Sequence, residues 1–272
     1  MKSSILNTKQ PAQRGFTLVE IAIVLVIIGL LIGGVLRGQE LINSARINSI
    51  ASQQSSIQTA YYGFIDRYKF QPGDLNDAQA LSVNTNTVVA KTLPANGNVE
   101  LSDSPAFFNN LAQAGFLACT ACTSGVTAGS GTTGATYTTQ PTTLTASNTM
   151  VNVYGQALAF FSDTGINGGS TGGSIAFLAT SAEASKPILT TGGGLSSNML
   201  AELDRKSDDG TPSGGQFRYT DVLGSGGLST AASGSAYSTT SFAKCVGGSG
   251  TTAAPYTWMA NPPGICQGGS MF

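Results

Sequence analysis

The chain contains no histidine. That absence removes Ser-His-Asp and Cys-His catalysis and every histidine-ligated metal site at once. Charge is scarce as well: 10 % of the 272 residues are Asp, Glu, Lys or Arg, against about 25 % in a typical soluble domain. Thirteen basic residues against fourteen acidic ones provide no broad cationic field for phosphates, so general nucleic-acid binding is not expected. No carboxylate pair or Ser-Lys arrangement stands in a catalytic frame, and Gly192-Gly193-Gly194 lacks the Lys-Ser/Thr of a phosphate-binding loop. An enzyme is not expected, and no catalytic or cofactor-binding residue is assigned. What the chain does have is 41 % hydrophobic residues, enough for a sizeable core, and 35 glycines among stretches rich in Ser and Thr.

Much of the hydrophobicity lies near the N-terminus. Phe16 to Leu36 is a run of 21 residues interrupted only by Glu20. At helical rise it is about 31 Å long, one hydrocarbon thickness. Lys2, Lys9 and Arg14 precede it without an acid, while Arg37 and Glu40 cancel beyond it. The positive-inside bias therefore keeps the leader in the cytoplasm and places the residues beyond Leu36 outside. No A-x-A-like cleavage pattern ends the run, so the helix is expected to stay with the chain.

The segment Gly15-Phe16-Thr17-Leu18-Val19-Glu20 and the apolar run behind it resemble the class III signal of type IV pilins and type II secretion pseudopilins. The resemblance implies that a prepilin peptidase cuts between Gly15 and Phe16, that Phe16 is N-methylated, and that subunits assemble through Phe16 and Glu20. It implies a bacterial inner-membrane protein, single-pass with a periplasmic C-terminal domain, that moves into a periplasmic or extracellular filament. The implied partners are the peptidase, membrane lipid before assembly, other pilin or pseudopilin subunits, and an inner-membrane platform with its ATPase. The leading role is a structural subunit of a type IV pilus or secretion pseudopilus-like filament. The alternative is a minor or tip subunit acting as a binding module, an adhesin or a secretion-substrate receptor. Many major pilins carry a helix-melting proline where this chain has Arg37, and the outer domain exceeds a minimal pilin.

Glu20 has two readings. A charge within a spanning helix costs about 2.5 to 3.5 kcal/mol near the centre and less near the end. The head could sit in water at the interface, or it could pair with the free amine of Phe16 in a neighbouring subunit, as the resemblance implies. Gly29 and Gly33 form a G-x-x-x-G, repeated by Gly34 and Gly38, which permits close helix packing in a bilayer. Each also costs about 1 kcal/mol of helix propensity, so the same residues equally mark a place where the helix loosens.

Beyond the membrane, Ile50, Ile57, Tyr61, Phe64 and Tyr68 fall on one helical face that stops before Pro72-Gly73-Asp74. The expected organisation is a leader over 1–15, an N-terminal helix over 16–70 (16–36 transmembrane, 37–70 amphipathic) and an extracytoplasmic globular domain over 71–272. The fold class is α+β and pilin-like: a long helix packed on an antiparallel sheet, with a large variable region. A second helix is predicted with Ser104 as N-cap, Pro105 first and Gly115 as the stop. A third is predicted over Ser197 to Lys206, with strands over Met150 to Phe161 and Ser174 to Thr180. Residues 120–150 suit a surface loop or Thr-rich hairpins. Pro72-Gly73-Asp74, Phe107 to Leu117 and Leu203 to Pro212 resemble segments of larger prepilin-type proteins, and serve equally well as a turn, a core helix and a polar loop.

The four cysteines are Cys119, Cys122, Cys245 and Cys266, and an oxidising compartment favours two disulfides out of three connectivities. The pairs closest in sequence are Cys119 with Cys122 and Cys245 with Cys266, and the second would close a C-terminal loop like that of many pilins. A four-thiolate zinc site and a redox C-x-x-C are the alternatives. Asp204, Asp208, Asp209 and Asp221 could offer oxygen ligands to calcium, though no EF-hand frame fits. The other reading is a solvated turn with a capping aspartate.

Overall fold

The structure, a computed structural model, describes residues 17–84, 87–90, 97–124, 126–127, 129, 134–137, 144–163, 186–220, 245–248, 256–259 and 266–272. The leader, Phe16, the strand expected over 174–180 and Asp221 lie outside them. The chain divides into two units, 1–45 and 46–272. Helix α1 (Leu18–Tyr68) runs for 51 residues. In the first unit its large apolar side chains, from Leu18 to Ile42, are exposed. In the second unit Ile47, Ile50, Gln54, Ile57, Tyr61 and Phe64 are buried. Steps of three and four leave one buried stripe, as an amphipathic helix requires.

Three shorter helices come after it: α2 (Asp77–Val83), α3 (Ser104–Gln113) and α4 (Ser197–Ser207). The strands are β1 (Val126–Thr127), β2 (Thr136–Tyr137), β3 (Phe160–Asp163), β4 (Lys186–Thr190), β5 (Phe217–Tyr219), β6 (Val246–Gly247), β7 (Thr257–Trp258) and β8 (Gly268–Met271). β3, β4, β8 and β5 form, in that order, an antiparallel sheet; β1 with β2 and β6 with β7 form two small antiparallel pairs. The outer half of α1 packs on the sheet in two places. Ile57, Tyr61 and Phe64 share a core with Phe107, Phe108, Phe160 and Leu189, where the rings of Phe107 and Phe160 stack at 3.7 Å between centroids. Ile47 and Ile50 join Leu200, Leu203, Phe217 and Tyr219 in a second cluster. Gln53 and Gln54 fix the register by donating to the carbonyls of Val151 and Thr190, at 2.8 and 3.0 Å. The class is therefore α+β, with the long helix on an antiparallel sheet.

α3 differs from expectation at its start. The 3-10 turn Leu101–Asp103 leads into it and Asp103 takes the N-cap position. Ser104 is the first helical residue, and its hydroxyl is turned to strand β3: it donates to the carbonyl of Phe160 at 2.6 Å and accepts the Phe160 N–H at 3.1 Å. Being wholly buried, the hydroxyl finds its best partners across the core rather than at the helix end. The other end is as expected. Gly115 has φ +80°, and the N–H groups of Gly115 and Phe116 return to the carbonyls of Ala112 and Leu111, the Schellman closure that a residue in the left-handed region allows. α4 starts with Ser196 as its cap, accepting the Met199 N–H. The strand expected over 150–161 is broken by a turn at 152–155, because the Asn152 Oδ1 accepts the N–H groups of Tyr154 and Gln156 and its amide donates to the carbonyls of Thr191 and Gly193. Only its end forms β3.

The loops before and after α3 are held by two adjacent, fully buried asparagines. Asn109 accepts the N–H of Val89 at 3.0 Å and donates to the carbonyl of Cys122 at 3.2 Å. Asn110 accepts the N–H of Gly73 at 2.7 Å and donates to the carbonyl of Val89 at 2.9 Å. Gly73, at φ +89°, approaches so closely that a Cβ would lie 3.1 Å from Phe107 Cβ and Val99 Cγ1. Two segments that resemble larger prepilin-type proteins, Pro72-Gly73-Asp74 and Phe107 to Leu117, are thus one packing unit. Asn110→Ala removes the side-chain partner of each of two buried backbone groups, the Gly73 N–H and the Val89 carbonyl, and is expected to destabilise the chain by about 2 to 4 kcal/mol. Denaturant unfolding of the chain in mild detergent measures this, and a loss below roughly 1 kcal/mol would refute the role of the pair.

Candidate assembly segment and carboxylate cluster

α1 begins with reciprocal contacts between Thr17 and Glu20. The Thr17 backbone N–H and hydroxyl both donate to Glu20 Oε2 at 2.9 Å, and the Glu20 N–H donates back to the Thr17 hydroxyl at 3.3 Å. This is the reciprocal capping box that Thr-x-x-Glu encodes, and that spacing is the sequence signal for it. It satisfies N–H groups that the first helical turn leaves without intrahelical partners. A carboxylate at this end also faces the positive pole of the helix. Glu20 therefore has hydrogen-bonding work within its own chain, apart from any partner in a second subunit. Gly29 and Gly33, like Gly34 and Gly38, lie in continuous helix. A Cβ built on any of them meets nothing within 4 Å among the described residues. The segment from Leu18 is long and apolar enough to cross a membrane.

The cysteines form two disulfides, Cys119–Cys122 and Cys245–Cys266, with Cα separations of 5.4 and 5.7 Å. Cys266 also pairs by a single bridge with Leu195, just before α4, so the second disulfide is attached to the same cluster as α4 and β5.

Asp204, Asp208 and Asp209 bring carboxylate oxygens within 4.8 Å of one another. These are the described residues whose chemistry could hold a cation, and acidic groups this close are common without one. Their oxygens are taken up by donors of the chain itself. Asp208 Oδ2 accepts the N–H groups of Gln216 and Phe217. Asp209 Oδ1 accepts the N–H and hydroxyl of Thr211, both at 2.8 Å. Asp204, wholly buried in the last turn of α4, accepts the indole N–H of Trp258 at 2.8 Å and the N–H of Gly210 at 3.2 Å. It thereby joins α4, its following loop and β7.

Burial pushes the Asp204 carboxyl up from 3.8 to about 6; the bonds from Trp258 and Gly210 oppose that rise, and the charges of Asp209 and Asp208 add to it. The folded state thus binds this proton more tightly than the unfolded chain. The stabilisation is fully present below about pH 4 and is lost as pH rises through about 6. Between those limits the group is expected to withdraw on the order of 3 kcal/mol. Denaturant unfolding across this range, with Asp204→Asn beside the native chain, measures the contribution: the variant should lack it. An identical pH dependence in both proteins would show that the buried carboxyl is not its source.

Residues 10–36 match the family of the prokaryotic N-terminal methylation motif. The match includes the junction Gly15-Phe16, which precedes the described residues, as well as Thr17, Glu20, Gly29 and Gly33. No curated protein and no solved structure matches the chain. The motif supports a pilin- or pseudopilin-type subunit processed by a prepilin peptidase and assembled with others of its kind. Over its first apolar segment, then, the chain carries the prepilin-type signal of type IV pilins and pseudopilins.

Proposed function

We propose that this chain is a structural subunit of a type IV pilus or type II secretion pseudopilus-like filament, assembled through α1. Prepilin peptidase would cut between Gly15 and Phe16, and the mature chain would begin at N-methylated Phe16. Until assembly the chain would stand in the bacterial inner membrane with its C-terminal domain in the periplasm, and a membrane platform with its ATPase would supply the work of extraction. The observation that carries this reading is the exposed apolar length of α1 within the methylation motif. Such a surface needs lipid or another subunit, because so much contiguous apolar area is not left in water. Gly29 and Gly33, with open space around them, would admit a neighbouring helix at close range.

In this reading Glu20 does two jobs. Its side chain closes the capping box on Thr17, and in the filament its charge meets the amine of Phe16 from the next subunit, which sets axial register. The two are separable by substitution. Glu20→Gln keeps an acceptor oxygen for Thr17 and loses the charge, whereas Glu20→Ala loses both. If the charge pair governs assembly, both variants should insert and be cleaved normally, yet incorporate poorly. Loss of an ion pair worth about 1.4 kcal/mol lowers incorporation about tenfold. Mass analysis of the mature N-terminus and quantitation of sheared filaments against membranes test this. Native incorporation of a cleaved Glu20→Gln protein would leave the residue with its cap alone.

A second reading, a minor or tip subunit acting as a binding module, draws on Arg37. α1 passes through this position without a break, where many major pilins have a helix-melting proline. Subunit stoichiometry in purified filaments separates the two: a bulk component supports the structural subunit, a trace one the tip module.

A further inference from the structure

The two disulfides stand in unlike surroundings. Cys245 and Cys266 are 0 and 1 % exposed, so no reagent reaches either sulfur in the folded chain. The other pair is asymmetric. Cys122 is fully buried against the aromatic core, while Cys119 is half-buried between Ala118 and exposed Thr120. The Cys122 backbone N–H donates to Cys119 Sγ at 3.2 Å. A donor at that sulfur lowers the cost of negative charge on it when Cys119 is released from a mixed disulfide as a thiolate. Asn109 holds the Cys122 carbonyl through its side-chain amide, a tether for the buried cysteine besides the S–S bond. The arrangement is a half-buried cysteine with a hydrogen bond at its sulfur, joined to a fully buried partner.

We propose that Cys119–Cys122 is a site of thiol–disulfide exchange that opens to dithiol reductants at the Cys119 sulfur in the folded chain, while Cys245–Cys266 is closed to them. In the first step one thiolate of the dithiol attacks Cys119 Sγ. The Cys119–Cys122 bond breaks, a mixed disulfide forms on Cys119, and the electron pair leaves on Cys122 Sγ, which takes a proton. The second thiolate of the dithiol then attacks its own sulfur in the mixed disulfide. Cys119 is released as a thiolate, and the reagent departs as a disulfide, two electrons poorer. This is exchange at one exposed bond, not the catalysis of an oxidoreductase: the pair lies just after α3, and no strand–helix–strand unit of the described residues surrounds it.

The test is graded reduction of the full-length chain in mild detergent with dithiothreitol, followed by alkylation and peptide mapping. The expected result is that Cys119 and Cys122 are labelled together roughly tenfold or more faster than Cys245 and Cys266. Equal rates, or earlier opening of Cys245–Cys266, would overturn the proposal. Two variants test the asymmetry. Cys122→Ser leaves Cys119 free, and oxidised glutathione should convert it to a mixed disulfide under native conditions, releasing one equivalent of glutathione thiol. Cys119→Ser leaves Cys122, which should stay unmodified until denaturant is added. Modification of Cys122 in the folded Cys119→Ser protein as fast as that of Cys119 in Cys122→Ser would refute attack at Cys119. Circular dichroism checks the fold of each variant, and the rate comparison in the native chain decides alone if either fails to fold.

Discussion

Asn110 accepts from Gly73 and donates to Val89, and Asn109 beside it joins Val89 to Cys122; the placement of three loops around the aromatic core depends on these four bonds. Buried loop backbone must be paired, because an orphaned N–H or carbonyl in an apolar setting costs about 1 to 3 kcal/mol. Regular ladders cannot do it where the chain turns. A charged side chain would suffer a heavy desolvation cost. A neutral amide both donates and accepts, and two in succession on α3 serve the chain before and after that helix. The same solution recurs at Asn152, which holds its own turn and the glycine loop before α4. Gln53 and Gln54 do it on α1, and Ser104 on α3. A chain with few charges and many amides and hydroxyls has the chemistry for this kind of interior.

That dependence explains which parts of the fold were legible in the sequence. Helices announce themselves by local rules: the period of Ile50, Ile57, Tyr61 and Phe64, the left-handed stop at Gly115, and the apolar side of α4 each depend on residues within a turn or two. The role of Ser104 does not. Its spacing before Pro105 is that of a cap, yet its partner is Phe160, 56 residues away, and a nonlocal bond leaves no local trace. Asn152 likewise reads as one polar residue in a strand-like run until its partners at Thr191 and Gly193 are known. The four-stranded sheet joins segments from 160 to 271, so its order could not follow from periodicity.

At the N-terminus the position is reversed: the prepilin-type signal is legible in the sequence, while the capping role of Glu20 is local yet easily hidden by its charge. The methylation motif covers residues 10–36, and a signal confined to one short stretch needs no tertiary information. The cost of a charge in an apolar helix points from Glu20 to a cation outside the chain. The nearer solution was Thr17, three residues back, whose N–H and hydroxyl occupy Oε2. Capping and intersubunit pairing are compatible, because a carboxylate has about four acceptor sites and the bonds to Thr17 engage one of its two oxygens. A carboxylate already oriented by its own helix also loses less conformational freedom when a second partner arrives.

Glu20 and Asp204 show two ways for a charge-poor chain to place a carboxylate at a helix end. At Glu20 the helix end supplies unpaired N–H groups and a favourable dipole, so the ionised form has local support. At Asp204 the carboxyl lies at the opposite pole, in the last turn of α4, where the dipole disfavours negative charge. Its two donors, Trp258 and Gly210, oppose burial without overcoming it. The arrangement has a structural consequence: the indole that bonds Asp204 belongs to β7, and β7 pairs with β6, which begins directly after Cys245. Each strand is only two residues long, too short to persist by its own ladder. The disulfide to Cys266, the bridge from Cys266 to Leu195 and the bond from Trp258 to Asp204 therefore supply the attachment that the strands cannot. A covalent link restricts how far this part of the chain can move, and the polar contact with Asp204 selects where on α4 it rests.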